Sequence, residues 1–482
     1  MVVSPVSSGL SMSLPIMPRS GHPQEGSRMP DFGQRTDTRS YRTRRRGATP
    51  RWITPEYPIN SGPWTVPVSP DPPQSSPPAR LILDISRLVY AAWSRTPKGI
   101  PRVELAYAEH FLASQPDRLH FTVLDAFGRL RIVNNRPAAA FTRAIARYWE
   151  GGTTSITAHW RVALRAFWIH IVLMMRPWGD IEQLVTAQRG RVHYIIPSQL
   201  HLERASLIRK LKNAGDLKLV VFVHDILPSL LPDYFTEEDA ELYHRRMENA
   251  ARLADIILVN SETTSDSFRT RFGDELGSRI PVVAPLGVAL HRCAGPAAAV
   301  LPQQPYFVML GTIEPRKNHK LILDVWLELH RELGPSTPRL LVVGERGWKS
   351  RDAIDLLERN GALHGFVEEC GRLPDATVAG LLKDACALLL PSFAEGYGLP
   401  LAEALTQGAP VLCSDIPVFR EVGGDIPDYL DPTDGLAWHA AVVEYAQPRS
   451  PKREAQIRRL TSWSAPTWEQ HFAVVDSVLR KL

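Results

Sequence analysis

The 482-residue chain has no uninterrupted apolar run of transmembrane length, which argues against a membrane-spanning helix. No secretory signal peptide is apparent at Met1, so the expectation is a cytoplasmic protein. Cysteine is scarce. Cys293, Cys370, Cys386 and Cys413 show neither metal-ligand spacing nor a paired pattern, which argues against a disulfide scaffold or a zinc module. Buried free thiols in a reducing compartment are expected. Acidic residues are short at one end: residues 1–53 hold nine arginines against Glu25, Asp31 and Asp37, while the whole chain carries only +5. The remainder is therefore close to neutral, and no nucleic-acid partner is expected for the folded part. No Asp-x-Asp pair occurs anywhere in the chain.

What is present centres on residues 386–420. An apolar run, Ala387 to Leu390, is long enough for a buried strand and stops at Pro391-Ser392. Glu395-Gly396-Tyr397-Gly398-Leu399-Pro400 then forms a loop with two glycines. Leu401 to Leu405 reads as a helix with Pro400 in its first turn, Gly408 ends it, and Ala409 to Cys413 reads as the next strand. Glycines let a backbone approach a ligand closely, and a helix N-terminus offers free N–H groups to phosphate. Glu395 and Glu403 do not suit phosphate. As pure acceptors they suit hydroxyl groups. A ligand combining phosphates with hydroxyls is a nucleotide sugar. The plain alternative is an ordinary strand–helix turn flanked by two solvated glutamates.

The segment Glu395-GYGLPLA-Glu403 resembles the glutamate–seven residues–glutamate motif of retaining nucleotide-sugar glycosyltransferases, in particular family 4 and its bacterial mannosyltransferases. The likeness continues through Ala409-Pro410-Val411, Ser414 to Pro417 and Glu421 to Gly424, and family-like segments run from about Leu81 onward. The resemblance implies an α/β architecture of GT-B type: two Rossmann-like, doubly wound domains facing each other across a cleft. It also implies a terminal helix that crosses back to the first domain.

On that basis the expected organisation is a disordered, basic and Pro-rich tail at 1–78, an acceptor-side domain at 79–293 and a linker at 294–304. A nucleotide-sugar domain at 305–467 and a returning helix at 468–482 follow. In the tail, Tyr41 to Arg46 is a basic cluster, either a solvated tail or an attraction to anionic lipid. Order begins at Arg80 with a strand, Leu81 to Ser86. Gly99-Ile100-Pro101-Arg102-Val103 opens a helix and resembles the opening of a bacterial subset whose glycine loop faces the cleft, making Gly99 and Arg102 acceptor-side candidates; Lys98 and Arg102 as solvated cations is the alternative. Residues 160–178, apolar with three tryptophans and three arginines, suit either a membrane-interface helix or a buried one. Thr236 with Glu237, Glu238 and Asp239 reads as a helix start.

Ligands of doubly wound sheets sit beyond the carboxyl ends of the strands. His224, Gly311, Arg316, Lys317 and Glu395 all follow apolar runs at such ends. A departing nucleoside diphosphate needs cations. With no Asp-x-Asp pair, Arg316 and Lys317 are expected to supply them without a metal or other cofactor. The expected donor site is Gly311, Arg316, Lys317, Glu395, Gly396, Tyr397, Gly398, Leu399 and Glu403. Glu403 would take the ribose and Glu395 the sugar hydroxyls. His224 is implied by the resemblance to lie against the donor sugar, near its C6 hydroxyl. His224, Arg316, Lys317 and Glu395 are the catalytic candidates. The resemblance points to GDP-mannose as donor and a polyprenyl-diphosphate-linked saccharide as acceptor, for exopolysaccharide or O-antigen assembly. Work at the inner face of the cell membrane follows from that acceptor. UDP-glucose or dTDP-rhamnose as donor is the nearer alternative. A nucleotide-sugar epimerase would lack the Glu-Gly-Tyr-Gly-Leu-Pro loop, and an inactive homologue would have lost Arg316, Lys317, Glu395 or Glu403.

Overall fold

A computed structural model describes residues 79–94, 99–125, 127–150, 156–175, 181–187, 191–288, 302 and 304–482. The tail at 1–78, Lys98, Arg176, Trp178, Cys293 and most of the 294–304 linker lie outside them.

The first sheet contains β1 (Arg80–Asp84), β2 (Leu119–Leu124), β3 (Leu130–Val133), β4 (Val192–Ile196), β5 (Leu217–Val223), β6 (Ile256–Val259) and β7 (Val282–Val283). Their spatial order is β3-β2-β1-β4-β5-β6-β7, parallel throughout except for β3. The second contains β8 (Tyr306–Leu310), β9 (Arg339–Val343), β10 (Val367–Gly371), β11 (Leu388–Leu390), β12 (Val411–Ser414) and β13 (Asp428–Leu430). Its order is β10-β9-β8-β11-β12-β13, all parallel. Parallel neighbours need crossovers, and helices supply them on both faces. The expected α/β class with two doubly wound sheets is therefore what the chain adopts.

The central strands read as unbroken apolar runs because both faces are covered. In β5, Leu217, Leu219, Val221 and Val223 enter one core while Val220 and Phe222 enter the other. In β11, Leu388 and Leu390 face one core and Leu389 the opposite one. The order reverses at β1–β4 in one sheet and at β8–β11 in the other, so the strand ends there open a crevice.

Caps fix several helix starts. Thr236 accepts the Asp239 N–H at 3.2 Å, with three acidic residues in the first turn of helix Glu237–Leu253. The last helix, Trp468–Lys481, begins with a capping box at Thr467 and Gln470 and buries Phe472 and Val475 in the core of the first sheet. Its buried His471 lies 3.0 Å from the Tyr107 hydroxyl.

Helix Ile156–Met175 has two apolar faces. Val162, Ala163, Ala166 and Ile169 are buried, whereas Trp160 (54% exposed), Leu164, Phe167 and Trp168 (61%) face outward beside Arg161 and Arg165. No helix among the described residues is long and apolar enough to cross a membrane. Among the thiols, Cys386 and Cys413 are buried as expected, but Cys370 is only half-buried, because it lies on the edge strand β10.

Candidate active site

The site forms where β8 and β11 end side by side. Gly311 follows β8 at φ 141°, a backbone conformation that side chains disfavour, and a Cβ there would come within 3.3 Å of Lys317 Cε. The chain then makes a tight turn, Pro315–Lys317, before helix His319–Leu333 begins behind Asn318 at φ 58°. Arg316 and Lys317 thus sit in the turn that precedes the helix, not inside it.

Glu395, in the loop after β11, draws both cations together. Its Oε1 accepts from Lys317 Nζ at 2.5 Å and from Ser392 Oγ at 2.7 Å, and its Oε2 accepts from Arg316 Nη1 at 2.8 Å. Arg316 Nη2 lies 2.6 Å from Glu314 Oε1. All four charged groups are largely removed from water. Burial alone would raise the Glu395 carboxyl, but the charges of Lys317 and Arg316 and their hydrogen bonds overcome it and hold the group at about 2. Burial pulls the Lys317 ammonium down from its ordinary value, against the pull of Glu395. The carboxylates offset the cost of placing two cations near a helix start.

His224 directly follows β5, buried, at the wall opposite. Its Nε2 is 2.7 Å from the Pro197 carbonyl, which can only accept, so Nε2 carries the proton and Nδ1 the lone pair. Burial pushes its pKa down to about 4, only partly opposed by that hydrogen bond. The ring is therefore neutral near pH 7. Gly396 brings the two walls together: a Cβ there would stand 2.8 Å from Asp225 Cβ and 3.0 Å from the His224 carbonyl oxygen. Gly398, at φ 95°, opens helix Leu399–Thr406.

Arg102, in helix Gly99–Ser114 of the first half, reaches Glu403 Oε1 at 3.3 Å and also pairs with Asp375. Gly99 faces Leu399 across the same gap. Tyr397 is placed differently from the other loop residues. It is buried and its hydroxyl donates to the Leu286 carbonyl at 3.2 Å, which is a structural contact to the first half.

The structure thus brings together Gly311, Arg316, Lys317 and Glu395, sets Gly396 against His224, and sets Arg102 against Glu403. Sequence reasoning gave no role to Glu314 or Ser392, which complete the cation cluster. Both lie within segments already singled out, and a carboxylate two residues before Arg316 was the available signal. It also gave none to Glu421, whose carboxylate accepts the N–H groups of Glu262 at 2.6 Å and Thr263 at 3.0 Å at the start of helix Glu262–Leu276. Trp348, in a loop from which the sequence reading expected contacts to the donor base, donates from Nε1 to the Tyr234 carbonyl at 2.8 Å and so ties the two halves.

Known proteins agree with this architecture. Residues 297–426 match the family model described as glycosyl transferases group 1. Over 260 residues the chain is 30% identical to an O-antigen chain mannosyltransferase B of Escherichia coli, covering 52% of this chain and 67% of that one. It is 28% identical over 282 residues to the serotype-specific mannosyltransferase WbdA of the same organism, but spans only 34% of that longer protein. Among solved structures, Anabaena Alr3699/HepE in complex with UDP superposes with a TM-score of 0.54 at 14% identity, over 83% of this chain and 99% of the other. At that identity the likeness speaks for the fold, which is that of GT-B glycosyltransferases. Two facing doubly wound sheets, a basic cluster at the strand ends of the second, and a relative matched over two thirds of its length lead to one assignment: the chain belongs to the group 1 glycosyltransferase family and is a sugar-transferring enzyme.

Proposed function

We propose that this enzyme transfers mannose from GDP-mannose, with retention at the anomeric carbon, to a polyprenyl-diphosphate-linked saccharide in exopolysaccharide or O-antigen assembly. The observation that carries the donor class is the pairing of Arg316 and Lys317 on Glu395 beyond the ends of β8 and β11. An incoming diphosphate would compete with Glu395 for these cations. Arg316 offers a planar fork to it and Lys317 a compact charge. Glu395 already accepts three hydrogen bonds and has room for about one more, which suits a sugar hydroxyl. Glu403, released from Arg102, would take the ribose. Mannose rests on the similarity to O-antigen mannosyltransferases of Escherichia coli.

In the proposed reaction the C1–O bond to the diphosphate breaks on the face where the acceptor oxygen bonds. The acceptor proton passes to the departing diphosphate oxygen. Arg316 and Lys317 would stabilise the charge that builds there, so no metal is required. Neutral His224 would present its Nδ1 lone pair to the donor sugar rather than act through a charge. The acceptor would approach along Gly99 and Arg102. The exposed Trp160–Trp168 stripe with Arg161 and Arg165 suits the surface of a membrane.

A thermal-shift panel of GDP, UDP and dTDP with their sugars tests the donor. Stabilisation by GDP-mannose above the others is expected. Stabilisation by UDP-glucose or dTDP-rhamnose, without any by GDP species, would replace the donor and leave the transfer chemistry standing.

A further inference from the structure

The ends of β1 and β4 in the first half hold a buried polar cluster beside His224 that no step above uses. Most of it is satisfied. The Asp84 carboxylate accepts from Ser86 N–H and Ser86 Oγ at 3.1 Å and from Thr122 Oγ1 at 3.3 Å, and His201 Nε2 lies 3.2 Å away. Three groups are not. The Arg87 side chain forms no hydrogen bond or ion pair with any described residue, and its Nε is sealed from solvent without an acceptor. Glu104, fully buried, spends Oε2 on the Leu88 N–H at 2.5 Å and leaves Oε1 without a partner. Gln199, 2% exposed, meets the Tyr243 hydroxyl at 2.8 Å with one end of its amide, and the other end has no partner.

This cluster belongs to the wall of the gap. The Tyr243 hydroxyl that meets Gln199 is also 2.8 Å from the carbonyl oxygen of Asp225, the neighbour of His224. Arg87 lies close enough for its charge to act on both His224 and Tyr243. Gln199 and His201 adopt positive φ angles of 64° and 68°, a conformation that costs energy in residues with side chains and recurs where a site is held in shape. A guanidinium taken partly out of water with no counter-ion is costly. Glu104 does not contact it, and burial pushes that carboxyl up to about 8, so it is mostly neutral near pH 7.

We infer that Arg87 receives an anionic group of the acceptor, a carboxylate or a phosphate, on the first-half wall beside His224. The inference rests on the reading of that half as the acceptor side. The guanidinium fork matches either anion in bidentate fashion, so a uronate on the terminal sugar and a phosphate on the acceptor are the two sources.

The test uses the full chain with GDP at saturation, so that Arg316 and Lys317 are occupied. Calorimetric titration compares methyl β-glucuronoside, methyl glucoside 6-phosphate and methyl glucoside. One anionic probe should bind about ten-fold or more tighter than the neutral one, as a charge-assisted pair implies. Which anion is preferred identifies the source. In Arg87→Met the preference should vanish, and in Arg87→Lys it should shrink, with GDP affinity unchanged in both. Equal binding of all three probes, binding of none, or a preference that survives Arg87→Met overturns the inference. Absence of GDP binding in the wild-type chain would instead count against the donor proposed above.

Discussion

At the scale of single residues, Glu395 organises its neighbours through charge. Its carboxylate pairs with both the Arg316 guanidinium and the Lys317 ammonium, at 2.8 and 2.5 Å. Removing it leaves two cations buried together, so Glu395→Ala should cost stability as well as rate, on the order of 3–5 kcal/mol. Arg316→Ala or Lys317→Ala should lower turnover by roughly 10²–10³, the usual cost of one lost transition-state charge contact. Initial rates of nucleotide release measure this. EDTA should leave the wild-type rate unaltered, and activity abolished by EDTA and restored by a divalent ion would contradict the role given to the two cations. The placement of Glu395, Arg316 and Lys317 beyond strand ends was legible in the sequence because strand ends and glycine loops can be counted off from apolar runs. Arg102 against Glu403 was not, since the two are 301 positions apart and only the docking of the halves joins them.

At the scale of elements, the loop from Glu395 to Gly398 works by close approach. Gly396 leaves no room for a side chain beside Asp225 and the His224 backbone, at 2.8 and 3.0 Å. Backbone stands on one side of that contact, so Gly396→Ala must spread the two walls. It should depress turnover strongly, while global unfolding shifts by only a few degrees. Comparison of kcat with the unfolding midpoint distinguishes this from general destabilisation; normal turnover would show the contact is not part of the closed state. A second element, helix Glu262–Leu276, borrows its cap from the other half. Ser261 accepts the Thr264 N–H at 3.0 Å, and Glu421 accepts those of Glu262 and Thr263 at 2.6 and 3.0 Å. Glu421→Ala should cost about 1–2 kcal/mol, as lost caps do, read as a lower unfolding midpoint. The helices themselves were readable from sequence. Thr236 before three acidic residues announced the start at Glu237, but a cap supplied from 158 positions away has no local signal.

At the scale of the molecule, buried histidines set the response to acid. His193, His224 and His471 are each held down at about 4 and His319 at about 3, in every case chiefly by burial. In the unfolded chain they titrate near about 6.5. Between those values the unfolded chain takes up protons that the fold refuses. Stability is therefore retained above about pH 6.5 and lost progressively as pH falls toward about 4. Unfolding midpoints measured from pH 7.5 to 5 should decline steadily, and a flat profile would mean that these rings are more open to water than the fold implies. The exposed stripe on helix Ile156–Met175 is also a whole-molecule property, since it matters only as a surface. The chain should float with anionic liposomes, less so at high salt, and Trp168→Glu should weaken flotation. Unchanged flotation in that variant would remove the stripe as the anchor.

The central claim is that the cation pair held by Glu395 is a seat for a nucleoside diphosphate sugar, and calorimetric titration of GDP-mannose into the wild-type chain and Lys317→Ala tests it most directly. The account predicts saturable binding to the wild type, weakened about ten-fold or more in the variant, as loss of a charge-assisted contact of about 1.5–3 kcal/mol requires. Equal affinity in the two proteins would contradict it, because the diphosphate would then lie elsewhere.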